Sequence, residues 1–275
     1  MIKLGGLALI NPLIVASGTF GLGDKYPERY RHAGAFICKT ITPLPRAGNP
    51  PPRIVETPSG SVNYVGLENP GVDGFLNLIR RIRIPTVFIV SVYAESTADL
   101  ARVLSKMETE SRISGYELNL SCPNIRQRRV MPSVDPVFVR RMVKTARGLT
   151  RKWICAKLPP YTCIDAAQVC EDAGADAVTV SNTYPSIAFT PKGHRMQGGL
   201  AGPAVKPMAL YYVYQTSLRV RIPIVASGGV TAGRDVEEFL GAGAKAVQVG
   251  SIQYVDPGAL RRILQEWRAL RMRRP

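Results

Sequence analysis

The chain has no apolar run long enough to cross a bilayer. Its longest, such as Thr86-Val87-Phe88-Ile89-Val90, falls far short of the roughly 20 residues that a spanning helix needs. Nor does the N-terminus carry an apolar segment followed by a small-residue cleavage site, so the expectation is a soluble, cytoplasmic protein. The five cysteines, at positions 38, 122, 155, 163 and 170, include no Cys-x-x-Cys pair and no zinc spacing. Their odd number argues against a secreted disulfide framework, and reduced thiols with no metal site are expected. Histidine is scarce as well: His32 and His194 show no partner spacing, and His32, just before Ala33-Gly34, reads as a helix C-terminal residue. There are no low-complexity segments and no obvious linker.

Acidic residues are few, 20 against 36 lysines and arginines, which leaves a formal charge of +16. That excess is compatible with nucleic acid, an acidic partner subunit or anionic small molecules, and it does not choose among them. Six arginines and one glutamate fall between Arg261 and Pro275, but Leu260, Ile263, Leu264 and Trp267 keep helical spacing there. A core-packed amphipathic helix with a basic outer face accounts for most of that segment.

At 275 residues and 45% hydrophobic, the chain is expected to form one domain, residues 1–275, with one large core. A repeat organises it. Ala33-Gly34-Ala35, Ala173-Gly174-Ala175 and Ala242-Gly243-Ala244 each precede an apolar run, as a helix closed by glycine and followed by a doubly buried strand would. Ile84-Pro85 and Ile222-Pro223 mark two more strand entries. With the runs at Ile14-Val15-Ala16, Tyr116 to Asn119 and Ile154 to Lys157, the strands number eight, near residues 14, 35, 87, 115, 154, 177, 224 and 246. Eight strand–helix alternations predict an α/β fold, a (β/α)8 TIM barrel, whose chemistry sits where the strands end. Two stretches, Thr42 to Pro58 after strand two and Tyr184 to Pro203 after strand six, read as long functional loops.

The strand ends are Ala16-Ser17-Gly18, Lys39-Thr40, Ser91, Asn119, Lys157, Val180-Ser181-Asn182-Thr183, Ser227-Gly228-Gly229 and Val249-Gly250-Ser251. Glycine lets backbone N–H groups approach a phosphate, and the last two strands of barrels commonly make such a site. A lysine inside a barrel must be paired or face a ligand, which singles out Lys39 and Lys157. With Asn63, Asn119, Asn124 and Asn182 on the same rim, the mouth suits a phosphorylated cofactor and a flat, anionic, hydrogen-bonding substrate. The segment Asn119-Leu120-Ser121-Cys122-Pro123-Asn124 adds a thiol between two carboxamides. As a thiolate, Cys122 can remove a proton from such a ring; as a buried thiol, it is inert.

Together these segments resemble the dihydroorotate dehydrogenase family almost end to end. The matching pieces are Asn11-Pro12 to Gly18, Lys39-Thr40, Gly48-Asn49-Pro50 with Pro52-Arg53, Asn63-Tyr64-Val65-Gly66-Leu67, Asn69-Pro70-Gly71, Asn119 to Asn124, Lys157, Asn182-Thr183, Gly198 to Ala204 and Ser227-Gly228-Gly229. The resemblance implies FMN as cofactor, with Ala16, Ser17, Lys39, Thr40, Asn119, Lys157, Val180, Gly202, Gly228, Gly229, Gly250 and Ser251 around it. It implies Cys122 as the base and Lys157 as the flavin lysine in the oxidation of dihydroorotate to orotate for pyrimidine synthesis. Lys39, Asn63, Tyr64, Val65, Gly66, Leu67, Asn119, Asn124, Asn182 and Thr183 would then bind substrate. Cys122, where the membrane-associated class 2 enzymes use serine, is similar to class 1, and the Gly48 and Asn69 loops look like class 1B. Such a barrel implies a homodimer, within a heterotetramer with an iron–sulfur and FAD electron-transfer subunit, and no nucleic-acid or membrane partner. Any cluster would belong to that partner, since the chain has no cluster-binding cysteine set.

The sequence departs from the family pattern in three places. Ile125 to Pro132 lacks the glycines usual in class 1B lids, Ser91 stands where an asparagine is usual, and Tyr184 to Gln197 is short. Two rival readings use the same fold: a related flavin barrel acting on another pyrimidine or on uridine in transfer RNA, which would use the +16 charge, and a barrel that only binds.

Overall fold

A computed structural model describes residues 1–121 and 135–273. Eight parallel strands close into a barrel: Leu13–Val15, Ala35–Ile37, Val87–Val92, Gly115–Asn119, Trp153–Leu158, Ala177–Val180, Ile224–Ser227 and Ala246–Val249. Each pairs with its neighbour in sequence, and strand eight closes the ring on strand one through Val247↔Leu13, Gln248↔Ile14 and Val249↔Val15. The near-continuous apolar composition of these segments is what a parallel sheet buried on both faces requires. Helices pack outside it, their apolar stripes inward. In Ala259–Met272 the buried positions are Ala259, Leu260, Ile263, Leu264 and Trp267, which leaves the arginines on the outer side.

Glycine at the three repeats has two different causes. Gly174 and Gly243 take the left-handed backbone that ends a helix, with φ of 94° and 106°. Gly34 does not; a Cβ there would lie 2.2 Å from the Asn11 carbonyl oxygen, so it is close approach to the entry of strand one that requires glycine. The N-terminal hairpin, Ile2–Leu4 with Leu7–Leu9, turns at Gly5-Gly6 and buries Leu4 and Leu9. These leucines pack with Ile14, Ile89, Trp153 and Val225 in a cluster inside the N-terminal end of the barrel.

Of the two stretches expected as long loops, Tyr184 to Pro203 is largely strand, whereas Thr42 to Pro58 is strand only at Ile54–Thr57. Ile54–Thr57, at the end of the first stretch, and Gly60–Asn63, just beyond it, join Tyr184–Phe189 and Arg195–Ala201, from the stretch after strand six, in one four-stranded antiparallel sheet. Ser61 and Asn63 face the barrel mouth, while Val62 and Tyr64 pack with Ala188 and Met196. That is the two-residue period of a strand.

After strand seven the chain enters helix Gly233–Gly241, whose first turn is held by Asp235. Its Oδ2 accepts from the N–H groups of Thr231 (2.7 Å) and Ala232 (2.9 Å), and its Oδ1 accepts from Lys206 Nζ (2.6 Å). Burial alone would raise this carboxyl, but the Lys206 ammonium and the backbone donors outweigh it and hold it below the ordinary aspartate value. Because the folded value is depressed, the stabilisation is present above the unfolded value and is lost as pH falls through the folded one. Asp235→Asn should cost about 2 kcal/mol at neutral pH. In denaturant titrations the gap to wild type should close only below the ordinary aspartate range; an equal gap at all pH values would contradict this role.

Candidate active site

The mouth of the barrel opens onto a cavity of about 740 Å³, a size typical of small-molecule and cofactor sites. Its wall is assembled from strand ends, because only there do side chains leave the packed interior. Strand one contributes Ala16, Ser17 and Gly18, strand two Lys39 and Thr40, strand four Asn119 and strand five Lys157. Strand six contributes Ser181 with Asn182 and Thr183, strand seven Ser227, Gly228 and Gly229, and strand eight Gln248, Gly250 and Ser251. From the sheet above come Ser61, Asn63, Leu200 and Ala201, and from the following turns Val65, Gly66, Leu67 and Gly202.

One side of the cavity is a belt of short polar side chains. Ser91 and Thr40 share a hydrogen bond between hydroxyls (2.9 Å), and Asn119 Nδ2 donates to Thr40 Oγ1 (3.2 Å). Ser121 Oγ then donates to Asn119 Oδ1 (3.0 Å) and accepts from Asn182 Nδ2 (2.7 Å), while Asn182 Oδ1 accepts from the Thr183 N–H (2.8 Å). The belt crosses strands two, three, four and six and fixes both carboxamides. It does not exhaust them, since an amide has two N–H donors and two acceptor lone pairs. Asn63 is oriented separately, its Nδ2 donating to the Gly199 carbonyl (3.0 Å). Asn69 differs, because it is only 7% exposed and bonds to Thr42, Leu67 and Gly71, which makes it a pin for the loop.

At the opposite side sit the glycines. Among the described residues, the N–H groups of Gly228, Gly229, Gly250 and Ser251 donate no backbone hydrogen bond, although all four residues line the cavity. Unpaired backbone donors in such a cluster are the chemistry of an anion cradle. Gly229 has φ of 75°, and a Cβ on it would lie 2.8 Å from Lys206 Cβ and 2.9 Å from the Gly202 carbonyl oxygen. Glycine is thus required there by the backbone turn and by the fit against the helix Lys206–Ser217.

Lys157, 4% exposed, borders the same cavity. Its Nζ donates to Gln248 Oε1 (3.1 Å) and reaches Ser17 Oγ at 3.4 Å. Lys39 runs beside Gly18, where a Cβ would lie 3.6 Å from its Nζ. The described cysteines are of another kind. Cys38, Cys155, Cys163 and Cys170 are buried, and burial pushes their thiols up, to about 12 for Cys38, Cys163 and Cys170 and well above the ordinary value for Cys155. None of them lines the cavity. Among the described residues no group of three His, Cys, Asp or Glu side chains is placed to hold a metal ion, and no described helix is long and apolar enough to cross a membrane.

Of the residues singled out from sequence, Cys122 and Asn124 lie outside the described residues, as does the segment 125–132. Val180 is fully buried in the core, and Tyr64 turns to the far face of the sheet; neither borders the cavity. The others named for cofactor or substrate do border it. Sequence reasoning passed over Gln248, Ser61 and Tyr254, which also line it. Gln248 had a signal, being a lone polar residue in the apolar run Ala246-Val247-Gln248-Val249.

Residues 1–270 match the family model described as dihydroorotate dehydrogenase. A protein of Trichlorobacter lovleyi named dihydroorotate dehydrogenase B (NAD(+)), catalytic subunit, is 37% identical, over 98% of this chain and 93% of its own length. Its namesakes in Pelobacter propionicus and Thermoanaerobacter pseudethanolicus are 38% and 36% identical, each over 96% of this chain, and over 90% and 91% of their own lengths. In fold, the chain is similar to the dihydroorotate dehydrogenase of Eimeria tenella solved with ferulenol. The TM-score is 0.80 at 21% identity, covering 97% of this chain and 82% of that one.

The turn at Gly229 gives a direct test of the cradle's backbone. Gly229→Ala should lower unfolding free energy by about 1–3 kcal/mol, since a Cβ is strained at positive φ. Gly148→Ala, in the helix Pro136–Leu149 with nothing within 4 Å of the added Cβ, should instead raise it by about 0.5–1 kcal/mol. Equal effects in urea titrations would refute the assignment.

Proposed function

The chain belongs to the dihydroorotate dehydrogenase family and is a flavin-dependent oxidoreductase that converts dihydroorotate to orotate in pyrimidine biosynthesis; from that premise we propose that its flavin is FMN and that the residues of the mouth divide the work as follows. Gly228, Gly229, Gly250 and Ser251 hold the phosphate through backbone donors. The fit rests on those donors having no partner within the described protein and on a buried cation bordering the same cavity. When bound, the flavin would supply the acceptor for the hydride at C6 of dihydroorotate, and the protein orientation and charge.

Cys122 takes the C5 proton. A cysteine acts as a base as its thiolate, which nearby cations favour, and the segment after it carries Arg126, Arg128 and Arg129. Lys157 meets the negative charge that develops during hydride transfer. An ammonium already in place there costs no reorganisation at the moment of reaction. Asn63, Asn119, Asn124 and Asn182, with Thr183, hold the edges of the pyrimidine, and Lys39 meets its carboxylate. The belt through Ser121 and Thr40 gives Asn119 and Asn182 fixed orientations before substrate arrives, which lowers the cost of ordering them.

The relatives' names specify a catalytic subunit and NAD. They support a barrel that passes electrons through a partner subunit to NAD; that the barrel is a cytoplasmic homodimer and the partner an iron–sulfur and FAD protein belongs to the same proposal and rests on the family resemblance. The observation that carries the reading is the single cavity in which unpaired N–H groups, a buried lysine and a carboxamide belt meet.

Three substitutions test it. Cys122→Ala should bind flavin and orotate but reduce flavin with dihydroorotate about 10²–10⁴-fold more slowly, the usual contribution of a positioned base. An unchanged single-turnover rate under anaerobic conditions would remove Cys122 from the mechanism. Lys157→Ala should slow flavin reduction more than it weakens substrate binding, because the charge it meets grows only in the transition state. Asn182→Ala should act the other way, weakening substrate binding about tenfold with a smaller change in rate, since it leaves a polar edge of the pyrimidine unpaired.

A further inference from the structure

Below the cavity, inside the barrel, lies a carboxylate that the proposed mechanism leaves without a role. Glu117, on strand four between Tyr116 and Leu118, is fully buried and does not line the cavity. Its neighbours are polar but few. Glu117 Oε2 accepts from Gln248 Nε2 at 2.6 Å and from Thr179 Oγ1 at 3.1 Å. Glu117 Oε1 has no hydrogen-bond partner among the described residues, and it lies 3.7 Å from Lys157 Nζ. At that distance the contact is an ion pair and too long for a hydrogen bond.

Gln248 completes the arrangement. Its Nε2 is committed to the carboxylate, so its Oε1 must face the other way, where it accepts from Lys157 Nζ. Glu117 therefore acts on the lysine twice, directly by charge and indirectly by fixing the orientation of the amide that accepts its hydrogen bond. No other carboxylate among the described residues lies within ion-pairing distance of Lys157. A buried anion with an unpartnered oxygen is costly, and so is a buried cation without an anion. Each is tolerated through the other.

Resting on the flavin reading above, we propose that Glu117 is a positioning residue, the buried counter-ion that holds the charge of Lys157 at the edge of the cavity for the flavin. The lysine has the cavity on one side and the carboxylate on the other. Glu117 thus retains the cation without itself touching flavin or substrate. Removing its charge strands a cation in the barrel interior, and the positive charge that Lys157 presents to the flavin is diminished.

The test is the reduction potential of the bound flavin, measured by dye equilibration, in four proteins: wild type, Glu117→Gln, Lys157→Met and the double variant. Glu117→Gln should lower the potential by about 30 mV, which for a two-electron couple is a tenfold loss in the equilibrium for flavin reduction. It should also slow the reductive half-reaction about 10–100-fold, as loss of a supporting partner typically does, with little change in substrate KM. In the Lys157→Met background the same substitution should not lower the potential, since its effect runs through the lysine. The double variant strands no buried charge, so it provides a folded reference if a single variant proves unstable. An unchanged or raised potential in Glu117→Gln, or an equal fall in both backgrounds, would overturn the proposal. Failure of the wild-type protein to bind flavin would instead overturn the reading on which it rests.

Discussion

Closure of the ring is the constraint from which the rest follows. Strand one is three residues long, yet it must pair with strand two on one side and strand eight on the other. Only when it does are there no free strand edges, and only then do all eight C-terminal ends face one mouth. Residues as far apart as Ser17 and Gln248 come to share Lys157 as a neighbour through that closure. The N-terminal hairpin supports it from beneath, with Leu4 and Leu9 filling the end of the barrel remote from the chemistry.

The polar interior shows how a packed core can hold ionic groups without failing. Glu117, Lys157, Gln248, Thr179 and the Cys155 thiol lie buried among the barrel strands, Lys157 and Gln248 at the cavity wall and the others away from it, where water screens them little. Each polar group there leans on another, and the carboxylate does so through two hydrogen bonds and one ion pair. Networks of this kind specify a single arrangement more than they add stability. The cysteines follow the same division of labour: four are buried with their thiols pushed up by burial, which suits packing and not proton transfer.

The eight strands were legible from the sequence because glycine and proline punctuate them and because buried parallel strands are almost wholly apolar. The strand expected near residue 177 is Ala177–Val180, and that near 246 is Ala246–Val249. Most of the candidate site was legible for a derived reason, since the barrel places function at strand ends. What escaped were long-range pairings. Nothing local in Ile54–Thr57 announces that its sheet is completed by Arg195–Ala201, and an antiparallel pair of this separation leaves no periodic trace beyond its own alternation. For the same reason Tyr64 reads as part of a substrate loop, although the period of the strand carries it to the opposite face. Glu117 and Gln248 stand 131 residues apart in the chain, and only the folded barrel brings them within 2.6 Å.

The sheet above the mouth couples two parts of the chain that are distant in sequence. Asn63 opposes Gly199, Val62 opposes Leu200 and Ser61 opposes Ala201. A strand's faces alternate with every residue, so a one-residue insertion in either partner would exchange the face that lines the cavity with the face that packs on Ala188 and Met196. Length changes in the stretch after strand two and in the stretch after strand six are consequently not independent. A grafted or shortened loop at one site would be accommodated only in steps of two residues or with a matching change at the other, so the two must be exchanged as a unit in any attempt to transplant this mouth onto another barrel.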